Sequence, residues 1–286
     1  MKPLDCYEIM QKRMTQTSEV QSILFEQELI GWHSLSEEVR NDNLRRICTQ
    51  PLTDKEFTEV YLWFRRIKWV DVLKACELPK GAVILEVASG SSTNIPEAMT
   101  VYDSTSKYVT ANMNKRLTNE LKKDTSFLPI NIEIIEDDAN NIGNHFDDGT
   151  FDAIFFEHSV NDVLQAIIAE NTGIDTTNGD WFEQLPEMIR LISDSYTNDT
   201  LENKVKEAFL SLVTNCMSVL KPGGYMVMSH YMFQYDLDLG YNLTLWENIL
   251  NVVRPWLTKL TQAKEVVTNG FDPQWWVFLR KLDTQS

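Results

Sequence analysis

Apolar positions along the chain follow two different periods. From Ser18 to Leu78 they recur at helical spacing, as in Phe57, Val60, Tyr61, Phe64, Ile67 and Val70, with charged residues between them. That spacing predicts amphipathic helices. Pro51 interrupts the run, and Thr53 with Glu56 three residues later reads as a capping box that opens a new helix. After Gly81 the period shortens. The runs AVILEVA, KYVTAN, NIEIIE, FDAIFFE and YMVMSHY are β-rich and alternate with helical or loop segments, which predicts a parallel sheet covered by helices on both faces. KEVV and WWVFLRKL, joined across TNGFDP, are predicted to pair antiparallel at the end of that sheet. Val205, Ala208, Phe209, Leu212, Cys216 and Leu220 form a helical stripe that Pro222 stops, and Gly223 and Gly224 turn the chain into the next strand. NTGIDTTNGD, residues 171–180, is expected to be a mobile surface loop.

The expected organisation is a helical segment over residues 1–78 followed by an α/β domain over residues 79–286, with an added segment at 163–203. Composition narrows the partners. With 43% apolar and 24% charged residues among 286, the chain is that of an ordinary folded protein. The 26 Lys and Arg against 42 Asp and Glu leave a net charge of -16, which repels a polyanion and disfavours nucleic acid as a partner. The four cysteines, Cys6, Cys48, Cys76 and Cys216, show no CxxC spacing, so neither a metal site nor a disulfide framework is expected. The N-terminus lacks an apolar signal core and no run is long and apolar enough to span a bilayer. The expectation is a soluble, cytoplasmic protein.

The candidate chemistry begins where the first strand ends. Glu86 closes that strand, and Ala88, Ser89, Gly90, Ser91 and Ser92 follow it. In a doubly wound sheet, ligands bind beyond the carboxyl ends of the strands, near the point where strand order reverses. Small residues there let the backbone approach a ligand closely. Dinucleotides and S-adenosylmethionine both use such a turn, but the GxGxxG of a dinucleotide site is absent. EVASGSS resembles the first motif of the class I S-adenosylmethionine-dependent methyltransferases, E/DxGxGxG. EDDANNIGNHFDDGTFDAIFFE resembles the stretch of that family in which an Asp-Ala pair follows the third strand and FD opens the fourth. VTNCMSVLKPGGYMVMSH resembles its helix, LKPGG turn and fifth strand, so that the likeness covers residues 80–281.

The resemblance implies a doubly wound, mostly parallel seven-stranded sheet with an N-terminal helical extension, and S-adenosylmethionine as cofactor. Glu86 would support the methionine end, the backbone of Ala88, Ser89 and Gly90 would line the pocket, and Asp138 with Ala139 would meet the adenine amine. Asn112 stands where the family has a ribose-binding acid, and its amide can accept from one hydroxyl and donate to the other. Methyl transfer needs alignment and, for some acceptors, a base. FFEHSVND places Glu157, His158, Asn161 and Asp162 at the ligand-facing end of the fourth strand. His158 is the natural general base because imidazole titrates near neutrality, with Glu157 beside it and His230, after the fifth strand, as its competitor. EHSVND in place of an N/DPPY turn argues against methylation of nucleic-acid bases or glutamine. Residues 163–203 and the N-terminal helices would form a lid over a small-molecule acceptor touched by Asn161, Asp162, Trp181 and Tyr231. The expected activity is O- or N-methylation of that acceptor. A non-catalytic S-adenosylmethionine-binding protein and a nucleotide-linked oxidoreductase are the alternatives.

Overall fold

The computed structural model describes residues 65–66, 68–230 and 234–283. Most of the expected N-terminal helical segment lies outside the described residues, and its end is helical over 68–75. Seven strands form one sheet in the order β3-β2-β1-β4-β5-β7-β6. Strands β1 (Val83–Val87), β2 (Lys107–Ala111), β3 (Asn131–Ile135), β4 (Phe151–Glu157) and β5 (Leu220–Ser229) run parallel. Strand β7 (Trp276–Lys281) runs antiparallel to both β5 and β6 (Ala263–Glu265), as the terminal hairpin requires. The fold is therefore α/β and doubly wound, with the order reversing between β1 and β4.

Helices α1 (Asn94–Asp103) and α2 (Lys115–Thr125) connect the first three strands. A 3-10 turn (Ala139–Asn144) precedes β4, and α3 (Val160–Glu170), α4 (Trp181–Thr197) and α5 (Leu201–Val219) lie between β4 and β5. The segment 163–203 thus consists mainly of α3 and one additional helix, α4, which packs on α3 and α5. After β5 come α6 (Gln234–Asp238), α7 (Leu243–Glu247) and α8 (Ile249–Leu257). Among the described residues no helix is long and apolar enough to cross a membrane.

The strands form where β-branched and aromatic residues cluster, and the central ones are buried on both faces. In β4, Phe151 and Ala153 to Phe156 are fully buried, which explains why FDAIFFE reads as a continuous apolar run and not as an alternation. Trp69, from the helical run 68–75, packs on Phe155 at 5.2 Å and Trp276 at 5.6 Å between ring centroids, fixing the N-terminal segment to the sheet. In α5 the stripe runs through Val205, Phe209, Leu212, Val213, Cys216 and Met217. Ala208, expected within it, is exposed, because the true core face is rotated by part of a turn towards Val213 and Met217.

The LKPGG turn explains itself in backbone terms. Helix α5 ends at Val219, Gly223 takes φ +74, and a Cβ on Gly224 would lie 2.8 Å from the Asp152 carbonyl oxygen and 2.9 Å from that of Lys221. Two backbone oxygens cannot give way as a side chain can. Gly224→Ala is expected to destabilise the fold by about 1–3 kcal/mol, read as a lower denaturation midpoint in urea with unchanged slope.

Candidate functional site

The strand-order reversal leaves a gap between the exits of β1 and β4, and both exits are turned by the same device. Ala88 and His158, the first residues beyond the two strands, each hold φ +54, a left-handed conformation that costs a non-glycine residue about 1–2 kcal/mol. Each backbone N–H remains in the sheet, Ala88 donating to the Ala111 carbonyl and His158 to that of Ser229, both at 3.0 Å. Ser159 then bridges the gap, its hydroxyl donating to the Val87 carbonyl at 2.7 Å.

Glu157 fastens the loop after β1 to this frame. Its carboxylate accepts from Arg65 at 2.7 Å, Ser92 at 2.6 Å and Asn94 at 2.9 Å, and its side chain is fully buried. Glu157 was expected among the catalytic groups. Three donors and a buried ion pair commit it instead to holding the Ser92–Asn94 turn in place.

Above that turn lies a cavity of about 350 Å³, within the range of small-molecule sites. Its floor and walls come from the exits of three strands: Val87, Ala88 and Gly90 after β1, Asn112 to Asn114 after β2, and Asp137 to Ala139 after β3. The first turns of α3 supply Asp162, Val163 and Ala166, while Trp181 and Leu212 close the far side. Of the residues expected to bind the cofactor, Ala88, Gly90, Asn112, Asp138 and Ala139 line this cavity. Gly90 holds φ +60, and Asn112 donates its side-chain N–H to the Gly90 carbonyl at 2.7 Å, joining the β1 and β2 exits. Asp138 caps the 3-10 turn by accepting from the Asn140 N–H at 2.8 Å.

Two expected residues sit beneath the floor. Ser89 is buried and accepts from the Thr110 hydroxyl at 2.9 Å. Glu86 is wholly buried, accepts from the Tyr108 hydroxyl at 2.6 Å, and its other oxygen has no hydrogen-bond partner. Burial first, and then the charge of Glu157, hold its pKa well above the usual carboxylate value, which favours its protonated form.

The two histidines form a buried stack. Their ring centroids lie 5.1 Å apart, and the edges of both rings meet Trp246, at 5.5 Å for His158 and 4.5 Å for His230. His230 donates from Nε2 to the Trp246 carbonyl at 2.7 Å, and burial lowers its pKa to about 3. Burial also lowers that of His158 well below the ordinary value, with the charges of His230 and Arg65 adding to it. Neither ring lines the cavity. Both expectations of a neutral-pH base are therefore corrected: desolvation makes these imidazoles weak proton acceptors. Asn161 is buried behind Asp162, to which it donates at 2.7 Å. Trp181 and Asp162 line the cavity, and Tyr231 lies outside the described residues.

The stretch 171–180 is the main residue set that sequence reasoning missed. Ile174 to Thr177 form part of the cavity wall. Asn114 caps α2 by accepting from the Leu117 N–H at 3.1 Å, and its amide donates to the carbonyls of Thr176 at 2.9 Å and Gly179 at 3.0 Å. Lys115 adds a backbone bond to Thr177 at 3.0 Å, and Arg116 pairs with Asp180. The polar, turn-forming composition that reads as a loose loop instead makes a roof tied to the start of α2. At the cavity wall Asp137 meets His145 Nε2 at 2.9 Å.

The cavity's electrostatics are one-sided. Asp137, Asp138, Asp162, Glu170 and Asp175 line it, with no Lys or Arg among the described residues. No group of His, Cys, Asp and Glu among the described residues has metal-binding geometry.

No protein-family model matches the sequence, and no curated protein matches it. Among solved structures, the chain is similar to a SAM-dependent methyltransferase from Aquifex aeolicus, at 13% identity and TM-score 0.44 over 76% of this chain and 90% of that one. It is similar to a SAM-dependent O-methyltransferase from Thermotoga maritima, at 10% identity and TM-score 0.41 over 77% and 66%. A third likeness is to a candidate rRNA methylase from Clostridium thermocellum, at 11% identity and TM-score 0.44 over 75% and 96%. What the cavity can bind follows from its own lining.

Glu86 yields a test of the electrostatics. A folded-state pKa raised above the unfolded value of 4.5 means that the folded chain keeps a proton the unfolded chain has released. The group's contribution is complete below pH 4.5 and is lost as pH rises towards the folded pKa. Glu86→Gln keeps a neutral acceptor for Tyr108. It is expected to be more stable than the parent at pH 7 by at least about 1 kcal/mol, or roughly 2–4 °C in Tm, and to lose that advantage near pH 4. Calorimetric melts across that range check it.

Proposed function

We propose that the chain is an S-adenosylmethionine-dependent methyltransferase acting on a small-molecule acceptor by O- or N-methylation. The observation that carries this reading is the cavity lining, five carboxylates without a basic residue among those described, at the reversal of strand order. The pyrophosphate of a dinucleotide calls for cationic and N–H donors, and this lining repels it. A nucleoside that bears a sulfonium, an ammonium group, ribose hydroxyls and an adenine amine brings positive charge and donors to match.

The residues present fit that ligand. Asp138 uses one oxygen on the Asn140 N–H and retains the other for an exocyclic amine. Asn112, held by its N–H to Gly90, keeps a carbonyl oxygen for a hydroxyl. Leu117, Ile167 and Leu212 supply apolar surface for a flat base. Bound there, the cofactor supplies an electrophilic methyl group. The chain's own part is to align an acceptor, to exclude water beneath the 174–177 roof, and to receive a proton. With Glu157 ion-paired and both imidazoles weak bases, Asp162 is the group placed for that last task. The net charge of -16 adds to the lining in opposing a nucleic-acid acceptor.

Calorimetric titration tests the binding half. S-adenosylhomocysteine is expected to bind one to one, NADH not at all, and Asp138→Asn to weaken the first by about tenfold, the worth of one charge-assisted hydrogen bond, with Tm unchanged. NADH binding, or none by S-adenosylhomocysteine, overturns the reading. Label carried from a methyl-labelled donor into a metabolite extract supports transfer, and tight binding without it supports a non-catalytic binder.

A further inference from the structure

The first turns of α3 carry Asn161, Asp162 and Gln165, and two of the three leave a buried carbonyl oxygen unpaired. Asn161 donates to Asp162 at 2.7 Å, while its own carbonyl oxygen, on a residue only 3% exposed, accepts nothing. One helical turn on, Gln165 is 1% exposed and its carbonyl oxygen is also without a partner. Gln165 adjoins the Tyr241 hydroxyl, and Tyr241 feels the charges of Asp162 and Asp236. Asp236 itself, on α6, is 9% exposed and raises the proton affinity of Asp162 across the gap. The surroundings are aromatic, with Tyr241 packed at a tilt of 40° against Trp246, 4.2 Å between ring centroids.

A buried Asp236 and two orphaned carbonyl oxygens behind the half-buried Asp162 at the cavity wall are costly for the empty protein. Burial raises the pKa of Asp162 to about 8, with Asp236 adding to it, and that of Asp236 to about 7. The two acids and the orphaned oxygens of Asn161 and Gln165 call for hydrogen-bond donors and positive charge, while the neighbouring Tyr241 hydroxyl and Trp246 indole N–H are also without partners. A hydroxyl acceptor offers one donor and no charge, whereas a protonated amine offers two or three donors and the charge.

We propose that the acceptor is a basic amine, held as its ammonium between Asp162 and Asp236 with its N–H groups towards the carbonyl oxygens of Asn161 and Gln165. Asp162 lines the cavity, so the nitrogen is presented to the space assigned above to the methyl donor. The same pair accepts the proton that an ammonium must release before its nitrogen can act as a nucleophile: the N–H bond breaks, its electron pair stays on nitrogen, and a carboxylate becomes a carboxylic acid. The choice of nitrogen over oxygen rests on the methyltransferase reading, but the binding of a cation does not.

The test titrates the full chain, with and without saturating S-adenosylhomocysteine, with butylamine and phenethylamine and with the matching alcohols. Each amine is expected to bind at least about tenfold more tightly than its alcohol. Asp162→Asn and Asp236→Asn are each expected to remove that preference. Both variants should melt at or above the parent's temperature, since an isosteric amide relieves the buried charge pair, and Asp236→Asn should keep the parent's affinity for S-adenosylhomocysteine. Equal binding of amine and alcohol, no binding of either amine, or a preference that survives both substitutions overturns the proposal. Amine preference without S-adenosylhomocysteine binding leaves the cation site standing and removes the methyltransferase reading. The reverse pattern removes only the cation site.

Discussion

Strand order reverses between β1 and β4, so the chain leaves these neighbours in opposite directions and no connection can cover the gap between their ends. The rest of the molecule organises around that gap. Ala88 and His158 turn the chain out of it in left-handed conformations while their N–H groups stay in the sheet. Ser159 ties one rim to the other, and Glu157, with Ser92, Asn94 and Arg65, holds the loop that forms the lip. Without these ties the small residues after β1 could collapse onto the sheet, and the space above Gly90 would close.

The polar groups beneath and around the gap divide into two populations. Glu157 is paired with Arg65, whereas Glu86, the other carboxyl under the floor, takes a bond from Tyr108 and has its pKa raised by burial and by the charge of Glu157. The five acids that reach the cavity share its lining with no Lys or Arg among the described residues. Stability is given up in both places, through the left-handed exits and through desolvated acids. Strain of this kind concentrated at one crevice marks the place where ligand contacts compensate for it.

Much of the fold was legible because its signals are local. The seven strand runs, the terminal hairpin and the LKPGG turn are each set by a few consecutive residues, and the structure places all of them. That Asp138, Ala139, Gly90 and Asn112 line one cavity was legible too, since strand exits in such a sheet all open on the same edge. What could not be read depends on partners far along the chain. Glu157 and His230 look catalytic as a string of polar residues, but their roles are decided by Arg65 and by the Trp246 carbonyl. NTGIDTTNGD has the composition of a free loop, and Asn114, Lys115 and Arg116 at the start of α2 tie it into a roof. The charge of Asp236, on α6 after β5, acts on Asp162 at the start of α3 before it.

A crystal structure of the chain grown with S-adenosylmethionine tests the central claim most directly. The account predicts density for an adenosyl group across the β1 and β2 exits, with its base beside Asp138 and its ribose beside Asn112, under the roof formed by residues 174–177. An empty crevice, or the ligand ordered elsewhere on the molecule, would contradict it.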